Sequence, residues 1–210
     1  MPEPGASTSD DGTFRDLLDY RRRTFALYDD VRRLWPEDPE KAHSLWRSTR
    51  GELFGRHPQS AIPASERAAF AGLRYFPYRA EYRFSARLVE EPAGERFEIA
   101  SSTGEAMWLR RVGRVTLPLG TLPVFWIDVY GGGLFLPFRD VTSGRATYGG
   151  GRYLLDTVKG ADLGSTPSGE LVLDLNFAYN PSCHYDPRWS CPLPGPESRL
   201  DAAIEAGELA

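Results

Sequence analysis

The stretch Glu81-Tyr82-Arg83-Phe84-Ser85-Ala86-Arg87-Leu88 decides how the fold is read. Tyr82, Phe84, Ala86 and Leu88 take alternate positions, with Glu81, Arg83, Ser85 and Arg87 between them. Successive side chains of a strand point to opposite faces, so this pattern makes one apolar face and one wet face. Downstream, further strands are expected at 95–101, 105–112, 114–118, 122–130, 133–138, 145–156 and 170–178. Turn-forming groups such as Pro92-Ala93-Gly94, Gly120 and Gly131-Gly132-Gly133 separate them. The run 122–130 is apolar on both faces and belongs at the centre of a sheet. Short strands at this spacing predict a mainly antiparallel sheet rolled into a barrel or sandwich.

Upstream the period is helical. Phe14, Leu17, Leu18, Phe25, Tyr28, Val31 and Leu34 recur at three- and four-residue steps, and Asp10, Asp11 or Thr13 can cap the start. Pro36 ends this helix, because proline has no amide to donate to the preceding turn. Asp38-Pro39 then reads as an N-cap followed by proline at the first helical position. Ala42, Leu45, Trp46, Thr49 and Leu53 continue as a second amphipathic stripe to about Phe54, and a short helical turn is expected near 65–70. The class is therefore α+β: an N-terminal helical hairpin packed on the sheet, with an irregular, docked C-terminal tail. Residues 1–12 read as a disordered lead-in and 13–210 as one domain, with 13–72 mainly helical, 73–178 mainly β and 179–210 the tail.

Composition narrows the functional classes. Of 210 residues, 41% are hydrophobic and 12% aromatic, enough for a sizeable core. The balance of 25 basic and 29 acidic residues gives a net charge of −4, without the basic stripe of a nucleic-acid binder. No apolar h-region opens the chain and no run is long enough to span a bilayer, so no membrane partner and a cytoplasmic location are expected. Nucleophile-elbow and zinc-protease motifs are absent. The triplets 131–133 and 149–151 read as glycine turns rather than phosphate loops.

The chemistry-bearing residues concentrate late in the chain. Asp174 and Asn176 share one face of the strand expected at 170–178, and Tyr179-Asn180-Pro181-Ser182-Cys183-His184-Tyr185 follows at once. Cys183 and Cys191 lack the spacing of a zinc site, so no metal is expected; they are a disulfide or a thiol pair. His184, adjacent to Cys183, is poorly placed as its base, which leaves the remote His57. His43 reads as solvated, and Asp140 as a turn residue before Thr142-Ser143-Gly144.

The stretches His57-Pro58-Gln59-Ser60, Phe70-Ala71-Gly72-Leu73-Arg74-Tyr75-Phe76-Pro77, FRDVTSGRATYGGGRYL at 138–154 and the motif-rich region 174–208 resemble an uncharacterised bacterial family, domain of unknown function family 1684. The likeness covers about residues 14–208. It implies no activity or cofactor, but makes Tyr148, Arg152, Tyr153, Asp174 and Asn176 motif positions, together with Tyr179, Asn180, Cys183, Tyr185 and Cys191.

Two hypotheses follow, and the residues do not decide between them. In the first, Tyr148, Arg152, Asn176, Tyr179, Asn180 and Tyr185 bind a small molecule, with Asp174, His57 and Cys183 as reactive groups and Arg152 as an anion clamp. In the second, the same polar residues form a buried network that locks the tail onto the sheet, in a scaffold or partner-binding module. A thiol redox role for Cys183 and Cys191 is the weaker third reading. Cofactor, oligomeric state and whether the protein is an enzyme are left open.

Overall fold

Thr13 sets where the first helix begins. Its hydroxyl accepts from Asp16 N at 3.2 Å while Asp16 returns a carboxylate to Thr13 N at 2.6 Å, a reciprocal capping box. The helix, α1, spans Phe14–Leu34, and α2 spans Pro39–Arg56, with Asp38 capping Lys41 N at 3.0 Å. A single turn, α3, follows at Ala64–Arg67. The computed structural model describes residues 12–99 and 101–210. Most of the expected lead-in (1–11, with the cap candidates Asp10 and Asp11) and Ala100 lie outside the described residues.

The β region holds two antiparallel sheets. Strands β1 (Arg83–Ala86) and β8 (Leu171–Asp174) form a pair, with Phe84 opposite Leu173. The larger sheet runs β2 (Val89–Glu90), β4 (Met107–Leu117), β5 (Gly120–Ile127), β6 (Gly133–Phe138) and β7 (Arg152–Asp156), with β3 (Phe97–Ile99) also on β4. Ala86 and Leu173 from the small sheet meet Val115, Leu122, Val124, Leu136 and Leu154 from the large one in a shared core. The sheets therefore pack face to face as a sandwich. Among the described residues they do not close into a barrel.

Several expected strand bounds are corrected. The segments 105–112 and 114–118 are one strand, β4, with a bulge between Arg111 and Gly113. Gly113 is a close approach: a Cβ there would lie 2.5 Å from Val89 O. Residues 145–151 form a loop, and Gly151 enters β7 at φ 92°, where a Cβ would lie 2.5 Å from Pro194. The strand expected at 170–178 stops at Asp174, because the Asp174 carboxylate accepts from Asn176 N at 3.0 Å and turns 175–177 into a 3₁₀ helix. Asp174 and Asn176 thus do not continue an alternating face. At the far end of β5, Val129 and Tyr130 fall in an exposed turn.

The hairpin packs through Leu27, Tyr28, Val31, Ala42 and Trp46 onto Ala161, Leu163, Val172 and Phe177. The tail is docked, with Leu200 and Ile204 in the sandwich core. His43, expected in solvent, lies inside the hairpin interface at 1% exposure, stacked on Trp46 and edge-on to Phe177. Burial, reinforced by Arg47, depresses its pKa from 6.5 to about 4. A depressed histidine contributes stability that is complete above its unfolded pKa and lost as pH falls toward the folded one. We expect on the order of 3 kcal/mol to vanish between about pH 6.5 and about pH 4. Urea melts at both ends of this window check it: His43→Phe should flatten the slope, and an unchanged slope counts against the assignment.

Candidate functional site

The glycine break at 149–151 and the turn after Asp174 bring the late motif onto the sandwich from two sides. Arg152, at the start of β7, is fully buried. Its Nη2 donates to Asp140 Oδ2 at 2.7 Å and to Ile204 O at 3.1 Å, and its Nη1 donates to Ala206 O. Asp140 uses its other oxygen to accept from the amide and hydroxyl of Thr142. Asp140 is thus both a turn residue and the countercharge of Arg152. Burial works against the guanidinium charge, and Asp140 opposes it.

Asp174 and Asn176 look elsewhere. Asp174 accepts from Trp35 Nε1 at 2.9 Å and from Asn176 Nδ2 at 2.8 Å, while Asn176 exchanges bonds with the Arg79 backbone at 3.0 and 2.8 Å. Burial raises the Asp174 carboxyl pKa, and the Trp35 and Asn176 donors hold it back. His57 caps the end of α2: Nδ1 accepts from Gln59 N at 3.0 Å, which leaves Nε2 to donate to Asp19 at 3.1 Å. Cys183 lies beside Tyr148, whose hydroxyl is 3.7 Å from its sulfur, and both Cys183 and Cys191 are free.

A second centre forms around Glu208. Its carboxylate accepts from Arg50 Nη2 at 3.0 Å, Asn180 N at 3.0 Å and the Tyr185 hydroxyl. The Arg50 guanidinium lies over the rings of Trp46, Phe54 and Tyr179, at 4.7, 5.2 and 5.0 Å. Burial works against the Arg50 charge, but Glu208 together with Tyr75, Tyr185 and Tyr28 holds the group well above its ordinary value. Glu208 itself is pushed up by burial and held back by Arg50.

Beside this centre is a cavity of about 370 Å³ between α1, α2 and the loop after β8. Leu17, Leu27, Leu53, Phe54, Ala61 and Trp189 give it an apolar wall. Tyr20, Tyr153, Tyr179, Arg50, Gln59 and Asn180 supply aromatic and polar surface, and the exposed Arg21 and Lys159 stand at its rim. Two buried polar atoms of lining residues, Arg50 Nη1 and Asn180 Oδ1, find no hydrogen-bond partner among the described residues.

Of the motif positions singled out in the sequence, Tyr153, Tyr179 and Asn180 line this cavity. Arg152, Asp174, Asn176, His57, Tyr148, Cys183, Tyr185 and Cys191 do not. Sequence reasoning missed Arg50, Glu208, Tyr20 and the pairing of Asp140 with Arg152. Arg50 carries one readable signal: it interrupts the apolar stripe Ala42, Trp46, Leu53 at helical spacing. No group of three or more metal-ligating side chains occurs among the described residues. No helix among them is long and apolar enough to cross a membrane.

The profile of a family described as "Protein of unknown function (DUF1684)" matches residues 68–209. The solution NMR structure of an uncharacterized protein of Haloarcula marismortui is 32% identical, over 83% of this chain and 96% of that one, with a TM-score of 0.56. No curated protein matches.

Proposed function

The chain belongs to the family of proteins of unknown function DUF1684, and from that premise we propose that it binds a small, largely apolar molecule in the cavity between the helical hairpin and the loop after β8. One observation supports this reading: a buried donor and a buried acceptor, Arg50 Nη1 and Asn180 Oδ1, share the lining without a hydrogen-bond partner among the described residues. Each unsatisfied buried group costs about 1–3 kcal/mol, which a ligand offering an acceptor and a donor would offset. The volume of about 370 Å³ is that of a small-molecule pocket.

The charge balance selects the ligand's polar end. Glu208 already neutralises Arg50 at 3.0 Å. A carboxylate placed against Arg50 would set a second anion beside the buried Glu208, at a desolvation cost that Arg50, already neutralised, does not repay. A neutral group with one acceptor and one donor, such as a carboxamide or lactam, fits better. The rings of Tyr20, Phe54, Tyr153, Tyr179 and Trp189 suit a flat apolar body.

The other motif residues fit the locking role. Arg152, Asn180 and Tyr185 all bond within residues 204–209. Asp174 and Cys183 do not line the cavity, and His57, behind the lining residues Tyr20 and Gln59, has both ring nitrogens engaged, so the reading is of binding and not of catalysis.

A thermal-shift screen of aromatic carboxamides against matched carboxylates tests it. Amides should raise the melting temperature and the carboxylates should not. Thr24→Trp, which fills the cavity from α1, should weaken the best amide at least about tenfold, or 1.4 kcal/mol. Shifts with carboxylates alone would overturn the neutral anchor; no shift with either class would overturn binding.

A further inference from the structure

The loop after β8 carries a second, separate device. Cys183 and Cys191 are both free and buried, and neither lines the cavity. Cys183 N donates to Cys191 Sγ at 3.4 Å, so the two ends of the segment 183–191 lie side by side with the Cys191 sulfur against the Cys183 backbone. Ser102 ties that segment down: its hydroxyl accepts from Cys191 N at 3.0 Å and donates to Trp189 O at 2.7 Å. The Tyr148 hydroxyl faces Cys183 at 3.7 Å.

The two thiols are unequal. Cys183 is 9% exposed and Cys191 1%, so a small reagent reaches Cys183 first. The hydrogen bond from Cys191 draws the Cys183 pKa well below the ordinary thiol value, against burial and with help from Ser102 and Tyr148. The same bond, with burial, raises Cys191. A thiolate is the reactive form of cysteine, so the less deeply buried sulfur is also the more nucleophilic one at neutral pH.

We propose that Cys183 and Cys191 form a two-thiol redox site at which a small hydroperoxide converts the pair to an intrachain disulfide, with Cys183 attacking and Cys191 resolving. The Cys183 thiolate attacks the terminal peroxide oxygen and the O–O bond breaks, leaving a sulfenic acid and an alkoxide that takes up a proton. The Cys191 sulfur then attacks the sulfenic sulfur. The S–S bond forms, and the displaced hydroxide leaves as water with the proton of Cys191. Two thiols lose two electrons, and one hydroperoxide becomes an alcohol and water. Because Ser182 immediately precedes Cys183 and Trp189 lies within the segment 183–191, and both line the cavity, the disulfide would clamp the segment that carries part of the cavity wall.

The full-length reduced protein, treated with stoichiometric hydrogen peroxide and followed by thiol titration and intact mass, tests this. The wild type should lose both thiols together, with a mass change of two hydrogens, and regain them with dithiothreitol. Cys191→Ser should accumulate a sulfenic acid at Cys183 that dimedone traps. Cys183→Ser should slow oxidation of the remaining thiol at least about tenfold. Native thiols that resist peroxide while urea-unfolded ones react would overturn the proposal, as would over-oxidation of the wild type without a disulfide. The wild-type measurement decides alone if either variant fails to fold.

Discussion

Asp140→Ala is expected to lower the stability of the protein by about 3–5 kcal/mol, a large part of what keeps a domain folded. Both members of the Asp140–Arg152 pair are fully buried, 2.7 Å apart. Removing the carboxylate leaves the guanidinium with the carbonyls of Ile204 and Ala206 and no countercharge. It also strips the Thr142 amide of its acceptor and leaves the Thr142 hydroxyl with Thr147 Oγ1 alone. The cost therefore comes from stranding a charge more than from losing an attraction. That distinction is measurable: the double variant Asp140→Leu/Arg152→Met, which removes both charges, should recover most of the loss. Urea denaturation decides. A loss below about 1 kcal/mol in Asp140→Ala would show that the pair is no more than an exposed ion pair in effect.

Glu208→Ala should cost a similar amount, again about 3–5 kcal/mol, from a residue distant in sequence from the helix it serves. Its carboxylate is the acceptor for Arg50, Asn180 N and Tyr185, all in the interior. The Arg50 side chain, 9% exposed, would keep its aromatic neighbours and lose its anion. Glu208→Gln retains an oxygen for these donors but not the charge, so it should fall between wild type and alanine. Hydrogen exchange separates this from general weakening: the amides of Glu208 and Leu209, bonded to Ala178 O and Arg74 O, should lose protection first. Equal loss everywhere would contradict the assignment of Glu208 as a local lock.

The helical hairpin is legible in the sequence because its signals are local. Thr13, Asp38 and Pro39 are cap residues next to apolar stripes, and caps act within one turn. The alternation at 81–88 is legible for the same reason. The errors arise where a distant neighbour overrides the local pattern. Gly113 looks like a break between strands, but it is the price of close contact with the β2 backbone inside one strand. Asp174 looks like the polar face of a continuing strand, but its carboxylate captures the amide two residues on and ends the strand. His43 looks solvated because its helical neighbours Lys41 and Ser44 are polar, and only the packing of Tyr78 and Phe177 from later segments buries it.

The cavity is harder to read because its wall is assembled from residues as far apart as Leu17 and Trp189, of types that ordinarily fill cores. The late motif marks Tyr179 and Asn180, which reach the cavity. It equally marks Arg152 and Tyr185, which hold the segment 204–209 in place. Residue type alone cannot separate these roles, since docking a tail and holding a ligand both call for buried donors and acceptors.

The two locks also impose an order in time on the chain's birth. Arg50 and Arg152 are synthesised well before the residues at 204–209 that accept from them. A ribosome-bound intermediate can therefore build the hairpin and every strand, yet it must keep Arg50 without its carboxylate until Glu208 emerges. Burying that cation early would be unfavourable, so final consolidation waits until residues 204–209 have been made. Incomplete chains that stop short of residue 204 would stay loosely packed and open to proteases. The buried charges thus make the packing of the earlier elements conditional on the segment 204–209.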